Sequence, residues 1–261
     1  MTLFRHEIKQ NRIAWIVWSA VLSFMMSITI VVYPQMSAEM GGLNDMLGNM
    51  GSFSDAFGMG QLNFSVFMDY FALECSNTLG LGGAIFAGIL GISAISKEER
   101  EHTAEFLLTQ PISRHRILLE KLLSVLVRLL ILNSAVVIAS LACILAIRAD
   151  MDYGKFALLF LSYFILQMEI AGVTFGLSAL TRRGNIAIGL GISLGFYFLN
   201  LLANMTQELK FLKYITPFSY TDNTSILCQG TIPLKYLLPG LLLGIGGILC
   251  AFVKYRKKDI L

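Results

Sequence analysis

The chain has 261 residues, of which 56% are hydrophobic and only 14% charged, with a mean hydropathy of +0.69 and a formal net charge of +3. A water-soluble domain carries a charged fraction nearer a quarter, so this composition excludes an ordinary soluble globule. The small positive excess borders apolar runs; it is a topology signal and no nucleic-acid footprint.

A helix needs about 20 apolar residues to cross the hydrocarbon, and no lipid-exposed backbone can go unpaired there. Six runs meet that need, at about 13–33, 71–95, 117–147, 156–180, 186–202 and 237–253, so residues 1–261 are expected to form one all-α integral membrane domain of six transmembrane helices. Before the first run, Leu3, Phe4, Ile8 and Ile13 recur at near-helical spacing between Arg5, Lys9 and Arg12, which predicts a short amphipathic helix lying on the membrane surface. The run that follows exceeds the roughly 7 to 15 apolar residues of a cleavable signal and reads as an anchor.

Between the first two spans, Met36, Met40, Leu43, Leu47 and Met50 alternate steps of four and three, the pattern of an amphipathic helix. Thioether binding of copper is the sharper reading of these methionines, and an apolar helix stripe the commoner one. Within the spans, glycines such as Gly88, Gly91, Gly172, Gly176, Gly189, Gly244 and Gly247 predict close helix packing.

After the second span the chain turns abruptly polar, from Ser96 to Arg116. Ser96 with Glu99 three residues on reads as a capping box, predicting a new helix just past the membrane, with Glu98, Glu99 and Glu101 in its first turns where the helix dipole favours them. Pro111 stops that helix, and Ser113 caps another that carries Arg114 and Arg116 into the third span. Near the first helix's end Phe106, Leu107 and Leu108 need cover, from the bilayer, from the protein's own helices or from a partner.

Inside the third and fourth spans lie Arg128 and Glu169. Counted from the basic end, both fall about 15 Å deep, so they are candidates for an ion pair between neighbouring helices or for contact with a transported molecule. Glu74, Asn77, Asn133, Gln167, Asn200 and Asn204 are candidates to line a polar path or to bridge helices. Residues 206–233 are too polar to cross and too aromatic for a linker, predicting short helices that dip into the outer leaflet around Pro217. Cys75 and Cys228 fall near the same side, where a disulfide is conceivable without regular spacing to support it. The histidines (His6, His102, His115) lack metal-ligand spacing, no catalytic constellation emerges, and no metal site is expected.

Orientation follows from the basic residues. Fourteen of them (Arg5, Lys9, Arg12, Lys97, Arg100, Arg114, Arg116, Lys121, Arg182, Arg183, Lys254, Arg256, Lys257, Lys258) fall on one side of the spans and five (Arg148, Lys155, Lys210, Lys213, Lys235) on the other. That asymmetry places both termini and the polar block in the cytoplasm.

The run from Glu98 through Glu101-His102-Thr103-Ala104-Glu105-Phe106-Leu107-Leu108 to Pro111-Ile112-Ser113-Arg114, with Lys121 beyond, resembles the segment between the second and third spans of ABC-2 type transporter permeases. His102-Thr103 stands where those usually read His-Gly-Thr. Leu212 to Tyr220, around Pro217, is similar to the family's segment before the last span. The resemblance implies that Glu98, Glu99, Arg100, Glu101, Thr103, Glu105, Phe106, Leu107 and Leu108, flanked by Pro111 and Arg114, form a coupling helix that docks on a separate ABC ATPase subunit. It further implies a homodimer or a heterodimer with a similar permease, export as the direction, and a multi-pass place in a bacterial plasma membrane. The chain carries no G-x-x-x-x-G-K-[ST] phosphate loop, its one Gly-Lys being Gly154-Lys155 before Phe156, so ATP and Mg are expected in the partner and no cofactor or enzymatic activity here. The alternative is an ATP-independent secondary transporter or a membrane scaffold.

Overall fold

With no water in the hydrocarbon, every peptide group there must find its partner inside the protein, and long Leu, Ile, Val and Phe runs do so as helices. The structure, a computed structural model, describes residues 2–10, 12–37, 54, 56–57, 62–100, 113–181 and 185–257. In chain order the elements are α1 (Thr2–Lys9), α2 (Arg12–Met36), α3 (Phe67–Cys75), a π-helical stretch (Ser76–Gly82), α4 (Gly83–Arg100), α5 (Arg114–Ile147), α6 (Tyr153–Leu180) and α7 (Ile186–Met205). Two 3-10 stretches (Gln207–Tyr214, Pro217–Thr221), α8 (Asn223–Gln229) and α9 (Leu234–Lys257) follow. The described residues hold no strand, and six helical segments among them are long and apolar enough to cross a membrane: Arg12–Met36, Phe67–Glu98, Arg114–Ile147, Tyr153–Leu180, Ile186–Met205 and Leu234–Tyr255.

Local signals set the helix ends. Ser113 caps α5 as expected, its hydroxyl accepting from the Arg116 amide at 3.4 Å, and α5 stops where Arg148 turns left-handed at φ 55°. Asp152 caps α6 by accepting from the Gly154 and Lys155 amides, and Asn185 caps α7 by accepting from the Ala187 amide.

α6 is the central helix, with α4 along one side and α9 along another; α7 packs on α4, and α2 on α5. The glycines make these contacts close. A Cβ on Gly172 would stand 2.6 Å from the Gly244 carbonyl oxygen, and one on Gly176 would stand 2.5 Å from that of Gly247, so α6 and α9 touch backbone to backbone. Around this centre Met26, Leu79, Leu132, Tyr163 and Leu166 are fully buried, while Phe24, Ile138, Leu242 and Val253 face outward as lipid-facing side chains should. The α1–α5 contact and the Arg114–Tyr255 contact put the starts of α1 and α5 and the close of α9 at one end of the bundle, the basic end.

Two expectations are corrected. No helix begins at Ser96: α4 runs through it, because the Ser96 hydroxyl donates back to the Ile92 carbonyl at 2.5 Å and its amide donates to the Ser178 hydroxyl of α6 at 2.9 Å. The segment around Pro217 is protein core and not leaflet, since Phe218 and Tyr220 are buried against α6 and α9; Phe211 and Tyr214 do face outward. Cys75 is buried and Cys228 exposed, and both thiols are free. Met36 closes α2, whereas Met40, Leu43, Leu47 and Met50 lie outside the described residues.

Candidate functional site

Lys121 sits two turns into α5 and is 2% exposed. A lysine is held at such burial only by partners that replace its hydration. Its Nζ donates to the Ala94 carbonyl at 2.8 Å, to Glu7 Oε1 at 2.9 Å and to the Glu98 carboxylate, so one ammonium joins α1, α4 and α5. Two turns deeper, Arg128 donates to the Glu7 carbonyl oxygen, and its guanidinium lies 3.7 Å from Glu7 Oε2. The amide of Phe4 donates to Glu120 Oε2 at 2.9 Å, and Arg114 donates to the Tyr255 carbonyl at 3.2 Å, which adds the end of α9 to the same assembly. Burial pushes the Glu7 carboxyl upward, but Lys121, then Arg128 and Lys97, outweigh it and leave Glu7 below its ordinary value.

Arg128 and Glu169 do not meet. Side chains lean toward the start of their own helix, and α5 and α6 run in opposite directions, so Arg128 reaches back to the basic end while Glu169 points away from it. Glu169 is 2% exposed; its Oε2 accepts from the Tyr220 hydroxyl at 3.0 Å, and Oε1 is buried without a partner. Burial, with the carboxylate beside it, holds the Tyr220 hydroxyl well above its ordinary value, so it stays a donor. Gly240, following Pro239 in α9, gives Glu169 its room.

The remaining polar candidates divide into three groups. Asn77 and Asn200 come together with Asn204 and Asp222 around a polar cavity of about 40 Å³, enough for a few waters, and Ser219 donates to Asn200 Oδ1 at 3.3 Å. Asn133 instead bridges helices, donating to Gln167 Oε1 at 2.6 Å, and Gln167 donates in turn to the Leu79 carbonyl of the π-helical stretch at 3.1 Å. Glu74 stands apart from both, half-buried one residue before α3 ends.

Of the proposed coupling segment, Glu98 and Arg114 are placed as above, and α4 carries the backbone on through Glu99 and Arg100. Glu101, Thr103, Glu105, Phe106, Leu107, Leu108 and Pro111 lie outside the described residues. Reading the sequence missed Glu7 and Tyr220. Glu7 had a signal, as the single acid in a basic amphipathic helix; Tyr220 had none beyond its place in an aromatic segment.

A family model described as ABC-2 family transporter protein matches residues 1–259. No curated protein matches the chain.

Proposed function

The chain belongs to the ABC-2 family of transporter proteins, and from that premise we propose that it is the membrane half of an exporter driven by a separate ATP-hydrolysing subunit. It is a multi-pass membrane permease of an ABC transporter, with six apolar helices among its described residues. In this reading residues 98–108 are the coupling helix, both termini are cytoplasmic, and the assembly holds two permease chains, identical or similar, in a bacterial plasma membrane. ATP and Mg belong to the partner ATPase; this chain binds no cofactor and contributes the path.

The observation that supports the reading is the Lys121 clamp. Glu98 is the root of the proposed lever, and Lys121 joins it to α1 and α5 in a low-dielectric setting where an ion pair resists separation. A push on the segment beyond Glu98 is thereby shared by α4, α5 and α1, and through the α4–α6 and α6–α9 packing by the centre of the bundle. Motion of that kind opens a path between two permease chains to alternate sides.

Co-purification from native membranes tests it. The chain is expected to bring down an ATP-binding-cassette subunit, and Phe106→Asp or Glu101→Lys to reduce that recovery about tenfold or more, the effect of losing an interface hot spot, while the chain stays in the membrane. Full transport by vesicles free of any nucleotide hydrolase would establish the secondary-transporter reading instead.

A further inference from the structure

At the basic end, between α2, α4 and α5, lies a cavity of about 310 Å³. Apolar side chains form most of its wall, among them Trp15, Trp18, Phe86 and Leu90, while Lys97, Arg128 and Glu7 bring charge to it. Arg128 is 7% exposed and its Nε is buried without a partner, although its Nη2 is held by Glu7. A buried N–H of a cation left in this way is one unmet charge-assisted hydrogen bond. The neighbouring charges point the same way, because Lys97, Lys121 and Arg128 outnumber Glu7 and Glu98 among the described side chains. Glu7 lines the cavity too, but its carboxylate is committed to Lys121 and Arg128.

We infer that this cavity is a binding site for an anionic phospholipid, whose phosphate lies against Arg128 and Lys97 and whose acyl chain begins between Trp15, Trp18 and Leu90. A free phosphate fits less well, since it would leave the aromatic and aliphatic wall uncovered. A lipid brings both chemistries at once and reaches the site sideways from the leaflet, past outward-facing Ile13 and Val17 of α2. The volume admits a headgroup and the first carbons of a chain, with the remainder left in the bilayer.

The chain has only two tryptophans, Trp15 and Trp18, and both line the cavity, so intrinsic fluorescence reports its occupancy. The intact chain is reconstituted into phosphatidylcholine vesicles containing a minor fraction of bromine-labelled phosphatidic acid or, separately, bromine-labelled phosphatidylcholine. The expected result is that the brominated phosphatidic acid quenches about tenfold more effectively per molecule, because both lipids carry a phosphate but phosphatidylcholine also brings a choline cation, which the surplus of positive charge from Lys97, Lys121 and Arg128 repels. Arg128→Gln should bring the two lipids close to parity. Should that variant fail to fold, Ser93→Leu, which fills the cavity and leaves its charges alone, should reduce the preference as well; Lys235→Gln, on Tyr236 outside the cavity, should preserve it. Equal quenching by the two lipids overturns the proposal, as does a preference that survives Ser93→Leu. Relief of quenching by inorganic phosphate at matched concentration would overturn it in favour of a free-anion site. The measurement uses no nucleotide and no partner chain, so its outcome is independent of the transport reading.

Discussion

A lysine with 2% exposure between apolar helices persists because three acceptors converge on it. Lys121→Met keeps the volume and leaves Glu7 and Glu98 without their ammonium, which costs about 3–5 kcal/mol of folding stability. The acid dependence carries the sign. Glu7 has a folded-state value below its ordinary 4.5, so its contribution is complete above pH 4.5 and is lost as pH falls through the lower folded value. Thermal melts of the purified chain should therefore show the parent losing stability below pH 4.5 and the gap to Lys121→Met narrowing in acid, beginning at higher pH because burial without Lys121 raises the Glu7 carboxyl in the variant; a gap that stays constant with pH would refute the clamp. Neither partner of this pair was legible as such in the sequence, because they stand 114 positions apart and periodicity records only which face a residue occupies. Arg128 and Glu169 were legible as costly charges within apolar runs, and the structure buries both. Their pairing was not, because depth ignores the direction in which a side chain leans.

At the level of elements, the glycines sort into those that hold two helices together and those that do not. A Cβ at Gly176 would meet the Gly247 backbone at 2.5 Å, whereas one at Gly195 would meet nothing within 4 Å. Gly176→Ala should force α6 and α9 apart and lower stability by about 1–3 kcal/mol, as overpacking does, while Gly195→Ala in α7 should be neutral or slightly stabilising through helix propensity. Denaturation of the two variants in detergent separates these outcomes, and equal effects would show that the α6–α9 contact is not a close one. The six spans themselves could be read from the sequence because lipid enforces one secondary structure on any long apolar run. What could not be read was where helices deviate. The Ser96 capping box is locally sound, yet Ser178 of α6 supplies a hydroxyl to the α4 backbone there and the helix continues. The π-helical stretch at Ser76–Gly82 likewise has its Leu79 carbonyl satisfied by Gln167 across the bundle, a contact that no local pattern announces.

For the molecule as a whole, the question is which end faces the cytoplasm, and the packing divides it into two parts. Contacts within the chain fix which residues share an end: Lys121 draws α1 and the close of α4 together, Arg114 reaches the end of α9, and α8 packs on α3 and α6 away from them, with Asn223 accepting from Tyr163 at 2.9 Å. In the proposed function the basic residues assign the shared end to the cytoplasm, on the ground that positively charged loops resist translocation. Cys228 reports on that assignment, being an exposed thiol on α8, at the end opposite Lys121. Cys75 is fully buried, and Cys143 and Cys250 belong to membrane-crossing helices, where the hydrocarbon keeps a charged, membrane-impermeant reagent away. A variant retaining only Cys228 should therefore react with a membrane-impermeant maleimide in right-side-out vesicles and be protected in sealed inverted ones. The reverse pattern would place residues 98–108 outside the cell, out of reach of any cytoplasmic ATPase, and a lever at that face could receive no force from ATP.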